Sequence, residues 1–584
     1  MSVEANFSLY RRFLRSAMAG AIGRRFVLVA NRERALALLL ITLFLVLGSV
    51  GRDPWKADEP YCVGIVHNIL QTGDWLVPHV AATPFVEKPP LMYWSAALTA
   101  SLFDRLLAFA DAARLAAIAW MALTIGAVAS AARAMYKGKR AWLAILLTLG
   151  AVGMWQHSHK LVPDVSQLAG ATVALAAVVH FLSRRASPLR SGALAGTGVG
   201  IAFLSKGLLI PGIYGVLALM FPLLRRDCRT RDWLALIGWA AAAALPWLIV
   251  WPMLLYHRAP DLFFNWLWDN NIDRFLGIHH HGEEHPNRFF DLLTLAGLSF
   301  PTGALAGLAL WQRYRRHRET GGPWPATTVA VVLLVLTTIV TLEISASLRE
   351  VYFLPIYPAF ALLAAGLEWS PQWSAQFRNV GSWVFGCVLV PLVATWVVLV
   401  AGEGQRLPPV LGKWLPLDYV LPFQPLWLLV ALIVVTVWLL VLRWRRQFGP
   451  VTVWFAGVTL VWGLGNSLLL PWFNVAKSYR QPFVELAQVL PADLSCVTTI
   501  GLGESERAML QYFSGRIVYK RSTTVRDTGC SVAVAMVEGP DPDPIIVEGA
   551  GPPFWSGSRP GDRNRRFFAY RLPRLGAVEL AIQH

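Results

Sequence analysis

Charge is scarce in this chain. Asp, Glu, Lys and Arg make up 15% of its 584 residues, against 55% hydrophobic residues and a mean hydropathy of +0.49. That balance excludes an ordinary soluble globular domain. Cysteine is also sparse: Cys62, Cys228, Cys387, Cys496 and Cys530 show no CxxC spacing, so no thiol-based metal motif is readable. Acid is short relative to base, 35 residues against 52, which leaves +17. The excess is not gathered in one patch, as nucleic-acid binding would require. It falls in short stretches at 24–34, 184–190, 225–231, 313–318 and 443–446, the pattern that holds cationic loops in the cytoplasm. No small-residue cleavage site follows the first apolar run, which is therefore expected to stay as a membrane anchor.

What is abundant is apolar sequence in runs of about 20 residues, the length that crosses a bilayer as a self-satisfied helix. A polytopic α-helical membrane protein follows. Alternating the basic loops to one side gives about thirteen transmembrane helices, near 35–51, 111–134, 141–157, 165–183, 191–205, 207–224, 233–256, 289–312, 325–343, 352–368, 379–401, 425–443 and 451–470. Residues 91–108 are expected as a juxtamembrane helix, because RAMYKGKR at 133–140 must then face the cytoplasm. The expected organisation is a cytoplasmic segment 1–34, amphipathic and basic enough for an anionic leaflet. A transmembrane domain 35–474 with an outer catalytic loop 52–110 follows it. A small periplasmic α/β domain, 475–584, completes the chain. In that last domain CVTTIGL, RIVYK, CSVAVAMVE, PIIVE and FFAYRL read as strands, with helices near 482–490 and 504–513. Cys496 and Cys530 each open a strand-like run; they form either a disulfide or two buried thiols, and spacing does not choose.

The polar residues that could carry chemistry fall on the outer side. The stretch from Asp58 to Pro90 is too polar and proline-rich to cross a bilayer and is expected in water at the membrane surface. It holds Asp58, Glu59, Gly73-Asp74-Trp75, Glu87 and Lys88. Acids at a span end are often merely solvated. Asp164, after HSHKLVP, puts a second carboxylate and a Lys on the same face, an arrangement suited to a general base and an orienting partner. Lys88 could pair with a lipid phosphate, or Pro89-Pro90 could simply stiffen a helix start. Arg274 and Arg349 are outer cations in want of an anionic partner, unless they snorkel to headgroups. Lys206, in FLSKG, sits at a break between two apolar runs and reaches the outer interface. His279, His280, His281, Glu283, Glu284 and His285 are either metal ligands, with Glu87 adding a carboxylate, or solvated loop. A transporter would place ionisable residues at mid-membrane depth, whereas here only Glu343 lies near a span end. A structural scaffold would not account for the clustering of carboxylates and cations.

Taken together, the Asp58-Glu59 pair with Tyr61, GDWLVP, EKPPLMYW, FLSKG, RFLGIHHH, REVYFLPIYPAFALLAA and NVAKSYRQPF resemble the bacterial 4-amino-4-deoxy-L-arabinose transferases of lipid A. Those are relatives of the protein O-mannosyltransferases, and the resemblance covers nearly the whole chain. It implies a GT-C type glycosyltransferase of the bacterial inner membrane, with its active site and C-terminal domain facing the periplasm. The reaction implied is transfer, with inversion, from a polyprenyl (undecaprenyl) phosphate sugar donor to lipid A or another envelope acceptor, a protein or other glycan being the alternative. Membrane lipids are expected partners and nucleic acid is not. Carried over residue by residue, the resemblance makes Asp58 the catalytic acid-base group and Asp164 the second outer carboxylate. It makes Lys88 and Arg274 the cations on the donor phosphate. Glu59, Tyr61, Lys206, Arg349, Tyr352 and Tyr357 are expected around the substrate cavity. Glu87 with His279, His280 or His281 matches a metal site, zinc being the type of ion implied. The chain departs from the family pattern at Tyr61-Cys62, at Phe85-Val86 and at Glu284-His285-Pro286-Asn287, positions next to donor and acceptor.

Overall fold

A computed structural model describes residues 32–136, 140–278, 288–346, 348–520, 529–540, 542–547, 549–562 and 564–572. Most of the segment expected at 1–34 lies outside them. Among the described residues, six helices are long and apolar enough to cross a membrane: Phe109–Met135, Pro163–Leu182, Arg231–Arg258, Ala326–Ile344, Pro371–Val400 and Pro425–Arg443. The chain is a multi-pass helical membrane protein.

Several expected spans differ. The run 289–312 is two helices meeting at 91°, broken before Thr302, and the run 451–470 ends at Gly465 and turns by 64° into Leu470–Lys477. Counting each bent pair as one span raises six to eight. The run 141–157 breaks at Ala151, where the backbone is extended. The span expected at 352–368 is corrected: a 3₁₀ turn, Glu350–Phe353, leads into a helix of only 9 residues, Ile356–Ala364. At 1.5 Å per residue such a helix covers roughly half a bilayer core. Hydropathy counts apolar residues but does not register where backbone direction changes. The helix at Leu91–Phe103, with 13 residues, is short as expected of a juxtamembrane element.

The largest correction concerns the stretch after the first span. It is not an open loop. Pro60 fixes φ in the first turn, where its missing N–H costs nothing, and Gly73 ends the helix in the left-handed region, its N–H donating to Ile69 O at 2.9 Å. The result is a helix, Glu59–Thr72, buried along most of its length. GDWLVP then fastens the chain. Asp74 accepts from the N–H groups of Leu76 and Val77 and pairs with Arg258 at 2.8 Å, and Trp251 donates to Leu76 O at 3.0 Å. A hairpin, β1 (His79–Val80) and β2 (Thr83–Pro84), follows before Pro90 opens the helix Leu91–Phe103.

The C-terminal region is an α/β unit of five strands: β3 (Cys496–Ile500), β4 (Ile517–Lys520), β5 (Val532–Glu538), β6 (Trp555–Gly557) and β7 (Arg565–Arg571). Their order is β4-β3-β5-β7-β6, with β3 parallel to β4 and β5, and β7 antiparallel to β5 and β6. Cys496 and Cys530 are joined by a disulfide. The expected strand at PIIVE does not form: Pro544 lacks a ladder donor and Ile546 is 99% exposed, while Tyr570 Oη ties the segment down through Ile545 O. The edge strand is Trp555–Gly557 instead.

This unit sits directly on the helix Glu59–Thr72. A Cβ on Gly64 would lie 2.6 Å from Ala508 Cβ in the helix Glu504–Ser514, so Gly is what allows the two helices to touch. Ala82 N–H also donates to Val518 O at 3.1 Å, linking the hairpin to β4. We expect Gly64→Val to cost about 1–3 kcal/mol through overpacking. Thermal unfolding in detergent should report it, and Gly64→Ala should be relieved by Ala508→Gly if this contact is the cause.

Candidate functional site

The helices converge on a cavity of about 370 Å³. Leu208, Leu209, Phe275, Leu276 and Leu342 form its apolar flank, and Glu87, Lys88, Lys206 and Arg274 its charged end. Each cation arrives from a different element. Lys88 follows the hairpin; Arg274 follows a π-helical stretch, Asn265–Asp273, whose widened turn is a type of distortion common at functional sites. Lys206 is the last residue of the helix Pro188–Lys206, which stops because Gly207 takes φ +85°. That helix lies close against Pro163–Leu182: a Cβ on Gly170 would come within 2.5 Å of Gly198 O. The close approach delivers Lys206 to Asp164, with which it forms a buried ion pair. The Lys that meets Asp164 is thus Lys206 from the next helix, and not Lys160 of HSHKLVP.

Glu87 ties the other two cations together. Its Oε1 lies 2.5 Å from Arg274 Nη1 and 3.3 Å from Lys88 Nζ. Burial alone would raise its pKa, but Lys88 and then Arg274 hold it down to about 2. Lys88 is buried, which disfavours its charge, yet Glu87 and Asp58 keep its pKa above the usual lysine value. Tyr61, itself buried, accepts from Lys88 Nζ at 2.7 Å and fixes the ammonium. Tyr352 lines the cavity and carries Lys206 Nζ 3.8 Å above its ring.

Asp58 caps nothing: its side chain makes no capping hydrogen bond and turns to Arg349 instead, 2.9 Å away. Burial opposes the charge of Arg349, but Asp58 and Tyr352 outweigh it and raise its pKa. Asp58 acts on Lys88 from nearby, so carboxylate and cavity cations share one electrostatic neighbourhood.

Of the six residues expected around the cavity, Lys206 and Tyr352 line it, Tyr61 and Arg349 stand behind it on Lys88 and Asp58, and the other two are elsewhere. Glu59 is fully buried and bridges Arg52 and Arg114, each at 2.8 Å, while Leu161 N–H donates to it at 3.1 Å. Burial would raise its pKa, but the two guanidiniums bring it to about 2. Successive helix residues point about 100° apart, so neighbours at a helix start can face opposite surroundings. Tyr357 is also corrected. It is 1% exposed and packs over Gly153, where a Cβ would lie 2.3 Å from Tyr357 Oη, away from the cavity wall. His279, His280 and His281 lie outside the described residues. Among the described residues no cluster of three metal-ligand side chains occurs, and Glu87 is already engaged by two cations, so these residues alone do not fit a metal ion. Asn270 and Asn271, which line the cavity, had no sequence signal beyond lying near Arg274, and neither did Arg52 and Arg114.

Comparison with known proteins places this geometry. Residues 87–256 match the family described as dolichyl-phosphate-mannose-protein mannosyltransferase. The chain is 28% identical over 343 residues to the undecaprenyl phosphate-alpha-4-amino-4-deoxy-L-arabinose arabinosyl transferase of Pseudomonas aeruginosa, covering 57% of this chain and 59% of that protein. It is 27% identical over 341 residues to the Edwardsiella ictaluri protein of the same name, covering 56% and 58%. The match thus spans less than two thirds of those relatives. The structure of ArnT from Cupriavidus metallidurans bound to undecaprenyl phosphate superposes with a TM-score of 0.65 over 92% of this chain and 97% of that one, at 18% identity. The chain has the fold of that transferase. The resemblance read from EKPPLMYW and its companion motifs holds. Its apo form superposes equally well, with a TM-score of 0.66.

Proposed function

We propose that the chain is an inverting glycosyltransferase that moves a sugar from a polyprenyl (undecaprenyl) phosphate donor to lipid A or a related envelope acceptor. The observation that carries this is the pairing of an aliphatic flank with a cluster of cations in one cavity. Lys206 is paired with Asp164, and Lys88 and Arg274 converge on Glu87 from two different elements, so that two cations stand side by side at the charged end of the cavity. A lipid phosphate satisfies both halves: its tail covers Leu208, Phe275 and Leu342, and its phosphate accepts from Lys88 and Arg274. The sequence relatives named for undecaprenyl phosphate-linked aminoarabinose support the same donor class.

In this mechanism Lys88 and Arg274 stabilise the charge that builds on the phosphate as the bond to the sugar's C1 breaks. Asp58, held by Arg349, takes the proton from the acceptor hydroxyl as its oxygen bonds to the opposite face of C1, inverting that centre. The family match to a protein mannosyltransferase favours, as a second reading, a protein as the acceptor.

The membrane arrangement follows the same logic. The helix Phe109–Met135 is 27 residues, about 40 Å long, with Arg114 in the ion cluster near one end. Just past its other end Tyr136 and Arg140 hold the carbonyls of Leu362 and Leu367. Basic stretches at the second end read as cytoplasmic, so the cavity and C-terminal domain face the periplasm.

The test is transfer by purified, reconstituted protein from an undecaprenyl-phosphate-linked sugar to lipid A, read by mass spectrometry. Lys88→Ala should raise the donor KM by about 10–100-fold, the worth of one charge-assisted hydrogen bond, with a smaller change for acceptor. An unchanged donor KM would remove Lys88 from the phosphate site.

A further inference from the structure

A second cavity, of about 690 Å³, shares Glu87, Asn270 and Arg274 with the first. Its remaining polar wall includes Thr83 of the hairpin and, from the C-terminal domain, Glu504 and Arg507. Carboxylates, guanidiniums and amides side by side would be left desolvated by a second lipid tail. They suit a small group rich in hydroxyl or amino substituents.

Two side chains in this wall have hydrogen-bonding groups to spare. Arg507 is 5% exposed; its Nη1 donates to Thr83 Oγ1 at 2.8 Å, but its buried Nε has no acceptor among the described residues. Glu504 is half-buried and makes no hydrogen bond or ion pair among them. Burial, with the charge of Glu87 adding to it, raises its pKa. Buried polar groups without partners are costly unless something completes them.

We propose that this second cavity is the subsite for the donor's sugar, and that Glu504 and Arg507 are specificity-determining residues that read its hydroxyl or amino substituents. The inference rests on the donor reading above, because what lies one bond from a phosphate held by Lys88 and Arg274 is the sugar itself. Arg274 and Glu87 form the shared wall, so a phosphate there hands its substituent directly into the chamber. The acceptor is a separate molecule and must meet Asp58, which does not line this chamber. The C-terminal domain, docked through Gly64 and Ala508, would thus complete the site from above the membrane domain.

The experiment uses the full-length protein in lipid nanodiscs, with binding measured by native mass spectrometry. The probes are undecaprenyl phosphate alone and the same carrier bearing 4-amino-4-deoxy-L-arabinose, a neutral pentose or a neutral hexose. The wild-type protein should bind undecaprenyl phosphate, and should bind one glycosylated carrier at least tenfold more tightly. Glu504→Gln should shrink that preference severalfold or move it to another sugar, with affinity for undecaprenyl phosphate unchanged. Arg507→Lys should do the same, and serves if Glu504→Gln folds poorly. A wild-type protein with no preference for any glycosylated carrier, or variants with the full preference intact, would overturn the inference and leave the donor reading standing. Failure to bind undecaprenyl phosphate at all would overturn both.

Discussion

Asp58→Asn is expected to lower the rate of transfer by about 10²–10⁴-fold, the usual contribution of a positioned general base, with donor binding and thermal unfolding close to wild type. The amide keeps the size of the carboxylate, and its oxygen can still accept from Arg349, which now lies 2.9 Å from Asp58 Oδ2. What it loses is the ability to take a proton. Single-turnover transfer with saturating donor measures this directly, and a variant of undiminished rate would remove Asp58 from the chemistry. Arg349→Gln should fall between the two, since it leaves the base but not its orientation.

Glu59 gives the second large effect, on stability. Arg52 and Arg114 are 4% and 0% exposed, and Glu59 bridges both from the start of the buried helix, with Asp111 as a second carboxylate on Arg114 at 2.6 Å. Removing it leaves two buried guanidiniums with Asp111 as their nearby carboxylate, and takes from Arg52 its ion pair. A loss of about 3–5 kcal/mol is expected for Glu59→Ala, seen as early thermal unfolding and poor recovery from the membrane fraction. A residue that merely faced substrate would lose activity and keep its stability. The pH dependence has the same origin. The Glu59 pKa is lowered in the folded protein to about 2 from 4.5, so its contribution is present above about pH 4.5 and lost as pH falls toward 2. Acid unfolding of the wild type should therefore include a component that Glu59→Gln lacks.

The neighbours Asp58 and Glu59 show how far a linear motif can be read. Their proximity to a span end marked both as acids near a membrane surface, an expectation drawn from hydropathy and proline content. Which of them meets Arg349 and which meets Arg114 was not, because Arg349 lies 291 positions away in sequence and Arg114 lies 55. Likewise EKPP and FLSKG announced Lys88 and Lys206, and Lys88 keeps its neighbour Glu87, but Tyr61, which fixes Lys88, and Asp164, which pairs with Lys206, come from other helices. Tyr357 shares a motif with Tyr352 and yet packs into the core, since the short helix Ile356–Ala364 turns it toward Gly153.

By itself the sequence determined that this is a helical membrane protein with its ionisable residues gathered at one level and an α/β domain after them. Those features depend on composition, run length and local periodicity, which are properties of neighbouring residues. Tertiary structure alone decided that the stretch after the first span is a buried helix, that apolar runs at 299–301 and 466–469 break, and that Cys496 pairs with Cys530. It also brought Glu504 and Arg507 to the chamber beside Glu87. Such outcomes depend on which distant surfaces fit, as Gly64 fits Ala508, and on burial, which turns an ordinary carboxylate into either a fixed counter-ion or a reactive group.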